Sequence, residues 1–230
     1  MSRPFRNRRD AGRKLAARLA QYAGRTDVIA LGLPRGGIPV AFEVAQALGA
    51  PLDAFLVRKL GLPGHEEQAI GAIASEGVRV LNEELVRTLN VPASMIELIE
   101  ERERLELRRR ERVYRGSRSA PDVSGRTVLL IDDGLATGAT MQAAVAALRQ
   151  QQPAWIVGAV PVASPDVCQE MATHVDEMVC VETPDHFYAV GLWYREFGPT
   201  SDEEVCSLLR RAQETPPGQL FTYPADQHFA

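Results

Sequence analysis

The stretch from Val128 to Met141 reads VLLIDDGLATGATM and combines three kinds of local sequence. It starts as a short apolar run typical of a buried strand, continues with two carboxylates, and ends in small and hydroxyl residues before an amphipathic helix. Small residues let backbone N–H groups close around a phosphate, and a helix N-terminus adds a positive dipole. The stretch therefore predicts a phosphate-binding turn after a buried strand.

The acidic pair, Asp132 and Asp133, restricts the ligand further. Two carboxylates beside a phosphate would repel it unless they bind hydroxyl groups, or magnesium-bound water molecules, of the same ligand. A sugar phosphate with a free 2,3-diol meets both requirements. The hydroxyl groups of Thr137 and Thr140 are additional donors for its phosphate.

Apolar runs alternate with amphipathic segments along the rest of the chain. The predicted strands span residues 27–33, 52–57, 127–131, 154–162 and 175–181, and the predicted helices that follow strands span 37–48, 141–150 and 165–172. This alternation predicts an α/β fold with a doubly wound parallel sheet, a Rossmann-type core. Right-handed crossovers then bring the carboxyl ends of the strands to one edge, where ligands bind.

Two segments interrupt this alternation. Residues 60–77 contain several glycines and a proline, and we interpret them as a long loop in which 68–74 form at most a short strand. Residues 94–113 form a strongly charged helix, inserted at about 92–115. We interpret it as a surface helix with ion pairs along its length, and a coiled-coil partner helix is the alternative.

Composition excludes several classes of protein. The chain has 230 residues, with 30 acidic and 26 basic side chains and a net charge of −4, so a nucleic-acid binder is not expected. No apolar run approaches the roughly 18 residues of a membrane span. Its three cysteines argue against a disulfide scaffold or a zinc site and fit a reducing cytosol. We expect one domain over residues 1–214 and a tail over 215–230.

Two further groups of basic residues stand out. Leu31–Val40 (LGLPRGGIPV) follows the first predicted strand, where Gly36 and Gly37 permit close approach to an anion and Arg35 offers a charged fork. The arginines near the N-terminus, among them Arg8 and Arg9, are interpreted as the solvated face of a first helix, with phosphate contact as the alternative.

The stretch 128–141 resembles the phosphoribosyl-pyrophosphate signature of type I phosphoribosyltransferases. The resemblance implies that Asp132 and Asp133 bind the ribose hydroxyls, and magnesium through water or ligand. It assigns the 5-phosphate to Ala136, Thr137, Gly138, Ala139 and Thr140. It assigns the pyrophosphate to Arg35, Gly36, Gly37, Arg58 and Lys59, often with a non-proline cis peptide in the glycine loop. The implied catalytic residues are Arg35, Lys59, Asp132 and Asp133.

A hood at about 182–200 follows the fifth predicted strand and is rich in aromatic residues. In the family a variable hood stacks on the acceptor base, and the candidates here are Phe187, Tyr188, Trp193 and Tyr194. Relatives that use hypoxanthine or guanine carry an aspartate where this chain has Ala136. The resemblance therefore favours a different acceptor, or proton transfer to a hood residue: Glu182, Asp185 or His186.

The activity implied by the resemblance is magnesium-dependent transfer of phosphoribosyl from phosphoribosyl pyrophosphate to a nitrogen acceptor, with release of pyrophosphate. The acceptor is expected to be a nucleobase, which places the chain in nucleotide metabolism. The alternative is a non-catalytic regulator of the same fold that senses phosphoribosyl pyrophosphate or nucleotides. We expect a cytoplasmic homodimer that binds small molecules and neither nucleic acid nor membrane.

Overall fold

The computed structural model of the chain describes residues 5–63 and 65–214. Its strands are β1 Val28–Gly32, β2 Leu52–Ala54, β3 Val57–Leu62, β4 His65–Ala74, β5 Arg79–Leu81, β6 Thr127–Ile131, β7 Trp155–Val162 and β8 Glu177–Glu182. Its α-helices are α1 Arg8–Arg18, α2 Gly37–Leu48, α3 Glu83–Thr88, α4 Ala93–Arg115, α5 Ala139–Arg149, α6 Pro165–Met171 and α7 Asp202–Glu214. The tail predicted at 215–230 lies outside the described residues.

Five of the strands form the predicted parallel sheet, in the order β2-β1-β6-β7-β8. Both faces of this sheet are covered, as expected for strands that are apolar along their whole length. On β6, Leu129 and Ile131 belong to the apolar cluster that contains α2 and α7 residues, whereas Val128 and Leu130 face the cluster around α5. The α/β doubly wound fold predicted from the sequence is therefore confirmed.

The prediction of a long loop at 60–77 is wrong. β3, β4 and β5 form a separate three-stranded antiparallel sheet, in which β4 extends the short strand predicted at 68–74. Leu60, Ile70 and Ile73 are buried in the same cluster as apolar residues of α4. Glycines lower the local strand propensity, but burial of these side chains against a distant helix stabilises the hairpin.

Other boundaries differ by a few residues. The strand predicted at 52–57 divides, because its last residue, Val57, begins β3 in the second sheet. The inserted helix is confirmed and is slightly longer than predicted, at Ala93–Arg115. No helix in the described part of the chain is both long and apolar enough to cross a membrane.

The structure also pairs two of the three cysteines. Cys168 on α6 and Cys180 on β8 form a disulfide, with their Cα atoms 6.9 Å apart, and Cys206 is free. The cysteine count and spacing did not predict this pair, because the two residues meet only when α6 folds back beside β8. The sequence argued against a disulfide scaffold, and the single disulfide in the structure is a pair that this argument did not foresee.

Candidate functional site

The acidic pair lies at the carboxyl end of β6, next to the first sheet strand that the chain forms, β1. The backbone N–H of Asp133 donates to the Oδ1 atom of Asp132 at 2.8 Å, which orients that carboxylate. Burial raises the pKa of both carboxyl groups, and the neighbouring charge of Asp133 raises that of Asp132 further. The strand end thus concentrates negative charge in a poorly hydrated place.

The glycine loop before α2 packs directly against this pair. A β-carbon on Gly36 would overlap the carboxylate of Asp133, and one on Gly37 would lie 2.6 Å from the carbonyl oxygen of Ile131. Only glycine permits this approach of the two loops. The Pro34–Arg35 peptide bond is cis although it does not precede a proline. The family resemblance had led us to expect such a bond in this loop.

The three predicted pyrophosphate-binding side chains occupy different surroundings. Arg35 is half exposed, with its Nη1 atom 3.9 Å from the Oδ1 atom of Asp202 at the start of α7. Arg58 lies on β3, where its guanidinium forms an ion pair with Glu103 of α4 at 2.6 Å. Arg58 and Lys59 line a cavity of about 250 Å³ between β3 and α4. Their roles in pyrophosphate binding stay predictions.

The predicted phosphate loop spans residues 136–140 and leads into α5. Gly138 is the N-cap of this helix and has a φ of 73°, which a side chain would disfavour. A β-carbon on Gly138 would lie 3.3 Å from the side chain of Met171 and 3.4 Å from that of Val167, so α6 packs against this loop. Ala136, Thr137 and Thr140 are exposed, which leaves this helix N-terminus open to solvent and hence to an anion.

The predicted hood is built from two distant parts of the chain. The N–H of Phe5 donates to the carbonyl of Trp193 at 2.6 Å, and the N–H of Arg195 donates to the carbonyl of Phe5 at 2.8 Å. The N-terminal segment therefore pairs with the segment after β8. This contribution of the N-terminal residues to the hood was not predicted from the sequence.

The four candidate stacking residues differ in exposure. Tyr194 is buried between Phe5 and Phe197, with ring centroids 5.4 and 4.9 Å away, and its hydroxyl donates to the Asp133 carbonyl at 2.5 Å. Burial raises the pKa of Tyr194, so it remains a neutral donor. Phe187 and Trp193 are half-buried, whereas Tyr188 is 83% exposed. Tyr194 therefore supports the acidic turn, and the stacking role of the others stays a prediction.

Arg8 is the site residue that the sequence analysis assigned to a solvated surface. Its Nε atom donates to the Oδ2 atom of Asp133 at 2.7 Å, and its Nη1 atom donates to the carbonyl of Gly198 at 2.7 Å. Its guanidinium carbon lies 3.9 Å from the ring centroid of Phe197. One feature of the sequence indicates that Arg8 is not simply a surface residue: it is a basic residue in the first turn of a helix, where the helix dipole disfavours a positive charge.

The two carboxylates of the site could coordinate a metal ion that binds together with a ligand, but the described residues of the site do not form a complete metal site by themselves. In residues 5–63 and 65–214, no group of three or more histidine, cysteine, aspartate or glutamate side chains could hold a metal ion. Magnesium usually keeps several water molecules and uses one or two carboxylates together with substrate phosphates. Asp132 and Asp133 fit that mode of binding.

Comparison with known proteins shows the family of this chain. A family model described as the phosphoribosyl transferase domain matches residues 5–192. Two curated Mycobacterium tuberculosis proteins, from strains CDC 1551 and H37Rv, are provisionally named phosphoribosyl transferases. Each is 48% identical over 208 residues, which is 90% of this chain and 47% of the relative.

The chain therefore spans about half the length of those curated relatives. The crystal structure of TT1426 from Thermus thermophilus has a TM-score of 0.83 to this structure and 43% sequence identity, covering 93% of this chain and 99% of that one. The acidic pair, the glycine loop with its cis peptide and the phosphate loop thus occur in a chain whose family is shown independently. This chain belongs to the phosphoribosyl transferase domain family.

Proposed function

We propose that this protein is an enzyme that transfers phosphoribosyl from phosphoribosyl pyrophosphate to a nitrogen nucleophile, with magnesium bound together with the substrate. The observation that supports this most directly is the contact between the acidic pair and the glycine loop. It brings carboxylate acceptors for the hydroxyl groups of a diol beside backbone N–H donors for a pyrophosphate, while the open N-terminus of α5 suits a phosphate.

The residues would act as follows in that reaction. Asp132 and Asp133 bind the ribose hydroxyls, and the backbone of residues 136–140 binds the 5-phosphate. Pyrophosphate leaves the anomeric carbon as the acceptor nitrogen attacks, so positive charge develops on the ribose ring and negative charge on the leaving group. Arg35 and the Gly36–Gly37 backbone stabilise that negative charge. Bound magnesium would neutralise phosphate charge.

The acceptor side is less defined by the residues present. Ala136 has no proton-accepting group, which favours acceptors other than hypoxanthine and guanine, or a base from the hood. Asp185 and His186 are exposed there, and Glu182 ends β8. A nucleobase acceptor, a homodimer and a cytoplasmic location remain predictions.

The test combines binding with turnover. Calorimetry with phosphoribosyl pyrophosphate and magnesium should show binding to the wild type. Removing a charge-assisted hydrogen bond costs roughly 1.5–3 kcal/mol, so Asp132→Asn and Asp133→Asn should each weaken binding about 10- to 100-fold without unfolding the protein. Absence of binding to the wild type would refute the proposal.

Pyrophosphate release is then measured with hypoxanthine, guanine, xanthine, adenine, uracil and orotate under identical conditions. Turnover of at least one acceptor supports an enzyme. Tight binding without turnover of any acceptor supports the alternative, a regulatory protein that senses phosphoribosyl pyrophosphate. Efficient use of hypoxanthine or guanine, unchanged when residues 182, 185 and 186 are neutralised together, would contradict the argument from Ala136.

A further inference from the structure

Arg8 connects the hood to the acidic pair. It is the first residue of α1, and its side chain is only 13% exposed, although the neighbouring Arg9 is exposed. The guanidinium is held on three sides: by the carboxylate of Asp133, by the carbonyl of Gly198 and by the ring of Phe197. A side chain fixed in this way has little freedom to reorient.

The position of Arg8 is unfavourable for α1 itself. A cation in the first turn of a helix opposes the positive end of the helix dipole, and this typically costs about 0.3–1 kcal/mol. Asp10 and the Asn7 cap, whose side chain accepts from the N–H of Asp10, already stabilise that end. Arg8 therefore does not stabilise α1, and its side chain interacts instead with Asp133 of the acidic pair.

The contact leaves part of Asp133 available. An ionised carboxylate has about four lone-pair positions on its two oxygens, and Arg8 uses one on Oδ2. The same guanidinium offsets the repulsion between the two adjacent, partly buried carboxylates. Asp133 is also bounded by Gly36, so Arg8 and the glycine loop together fix the direction of its carboxylate.

We propose that Arg8 is a positioning residue of the ribose site: it acts through Asp133, holding that carboxylate in the orientation that accepts hydrogen bonds from the ribose hydroxyls. The proposal rests on the proposed function, because it presumes that Asp133 binds phosphoribosyl pyrophosphate. Since Arg8 also bonds to Gly198 and stacks on Phe197, it transmits the position of the hood to the ribose site.

The test is a double-mutant cycle read by calorimetry with phosphoribosyl pyrophosphate and magnesium. Because a charge-assisted hydrogen bond is lost, Arg8→Ala should weaken binding about tenfold. Arg8→Lys, which keeps the charge, should recover part of that loss. Arg9→Ala, an exposed arginine on the same helix turn, should bind within about twofold of the wild type. In the Asp133→Asn background, Arg8→Ala should have no further effect.

The outcomes separate the two proposals. If the wild type binds and both Arg8 variants bind equally tightly, the proposed role of Arg8 is overturned and the proposed function stays intact. The role is also overturned if Arg8→Ala reduces the affinity for phosphoribosyl pyrophosphate by the same factor in the wild type and in Asp133→Asn, because Arg8 would then act independently of Asp133. No binding by the wild type would overturn the proposed function and this proposal with it. If Arg8→Ala does not fold, the cycle is run with Arg8→Lys.

Discussion

Carboxylates removed from water are costly at the scale of single residues, and this protein holds two partly buried ones side by side. Asp132 accepts one backbone hydrogen bond, and Asp133 has the additional bond from Arg8. These partners offset only part of the loss of hydration, because the pKa of both groups remains raised. Such a pair weakens the fold, and its natural explanation is ligand binding.

The raised pKa of Asp132 predicts a pH-dependent effect of its removal. A carboxyl group whose folded-state pKa exceeds its unfolded value of about 4 destabilises the protein as pH rises above that value. The loss reaches about 1.4 kcal/mol for each pH unit that separates the folded pKa from the unfolded one. Asp132→Asn should therefore be at least as stable as the wild type at pH 7, with the difference shrinking towards pH 4. Denaturant unfolding at the two pH values measures this.

Asp185→Asn, which removes an exposed carboxyl group from the hood, is the control for net charge. It should change stability by no more than about 0.5 kcal/mol at either pH. A loss of stability in Asp132→Asn that is the same at pH 4 and pH 7 would mean that this carboxylate is structural.

At the scale of elements, α4 is the helix whose role the sequence did not indicate. Its acidic residues Glu100 and Glu103 form ion pairs with Arg79 of β5 and Arg58 of β3. Arg109 of the same helix bonds Asp202 of α7 at 2.9 Å. The inserted helix therefore joins the antiparallel sheet to the main body, which makes it more than a solvated surface helix.

The Arg58–Glu103 ion pair should help to hold the β3–β4 hairpin against α4. A partly exposed ion pair contributes about 0.2–1 kcal/mol, so Glu103→Gln should speed hydrogen exchange of β3 amides by a factor of about 1.4 to 5. Glu101→Gln, an exposed residue on the same helix, is the matched control and should leave β3 unchanged. Equal exchange in both variants would show that the Arg58–Glu103 ion pair does not stabilise β3.

The disulfide is the second element-scale feature open to test. It closes a loop between cysteines 12 positions apart, for which the chain-entropy model gives about 3 kcal/mol. Reduction, or Cys168→Ser, should lower the melting temperature by about 6–12 °C in a domain of this size. Cys206→Ser is the control and should keep the response to reductant. A native protein whose three thiols all react with an alkylating agent without prior reduction would contradict the pairing.

The whole molecule has two apolar layers, one on each face of the parallel sheet. Leu129 is fully buried in the layer that also contains α2 and α7 residues and Leu60 of the antiparallel sheet. Because this layer is shared by both sheets, the loss of a large side chain there should weaken the body as a unit.

Leu129→Ala should lower the free energy of unfolding by about 2–5 kcal/mol, through lost burial and the cavity left behind. Leu105→Ala, on α4 and 62% exposed, is the matched control and should stay within about 0.5 kcal/mol of the wild type. Chemical denaturation followed by circular dichroism measures both. A small effect of Leu129→Ala would mean that the layer repacks easily.

The sequence by itself determined the parallel sheet and the acidic turn, because both depend on residues close together along the chain. Continuous apolar runs required strands buried on both faces, and the order of carboxylates, small residues and helix marked the turn at 132–140. The glycine loop at 36–37 was identified for the same reason, and its packing against the acidic pair follows from the neighbouring positions of β1 and β6.

Only the tertiary structure decided the features that join distant segments. Residues 60–62 and 65–74 form strands because Leu60 and Ile70 are buried against α4, which outweighs the low strand propensity of the nearby glycines. Cys168 and Cys180 meet because α6 folds back beside β8. Arg8 reaches Asp133 across 125 positions of sequence, because the N-terminal segment pairs with the hood. No local pattern encodes such a contact, since its free energy comes from burial and charge that exist only once the chain has folded.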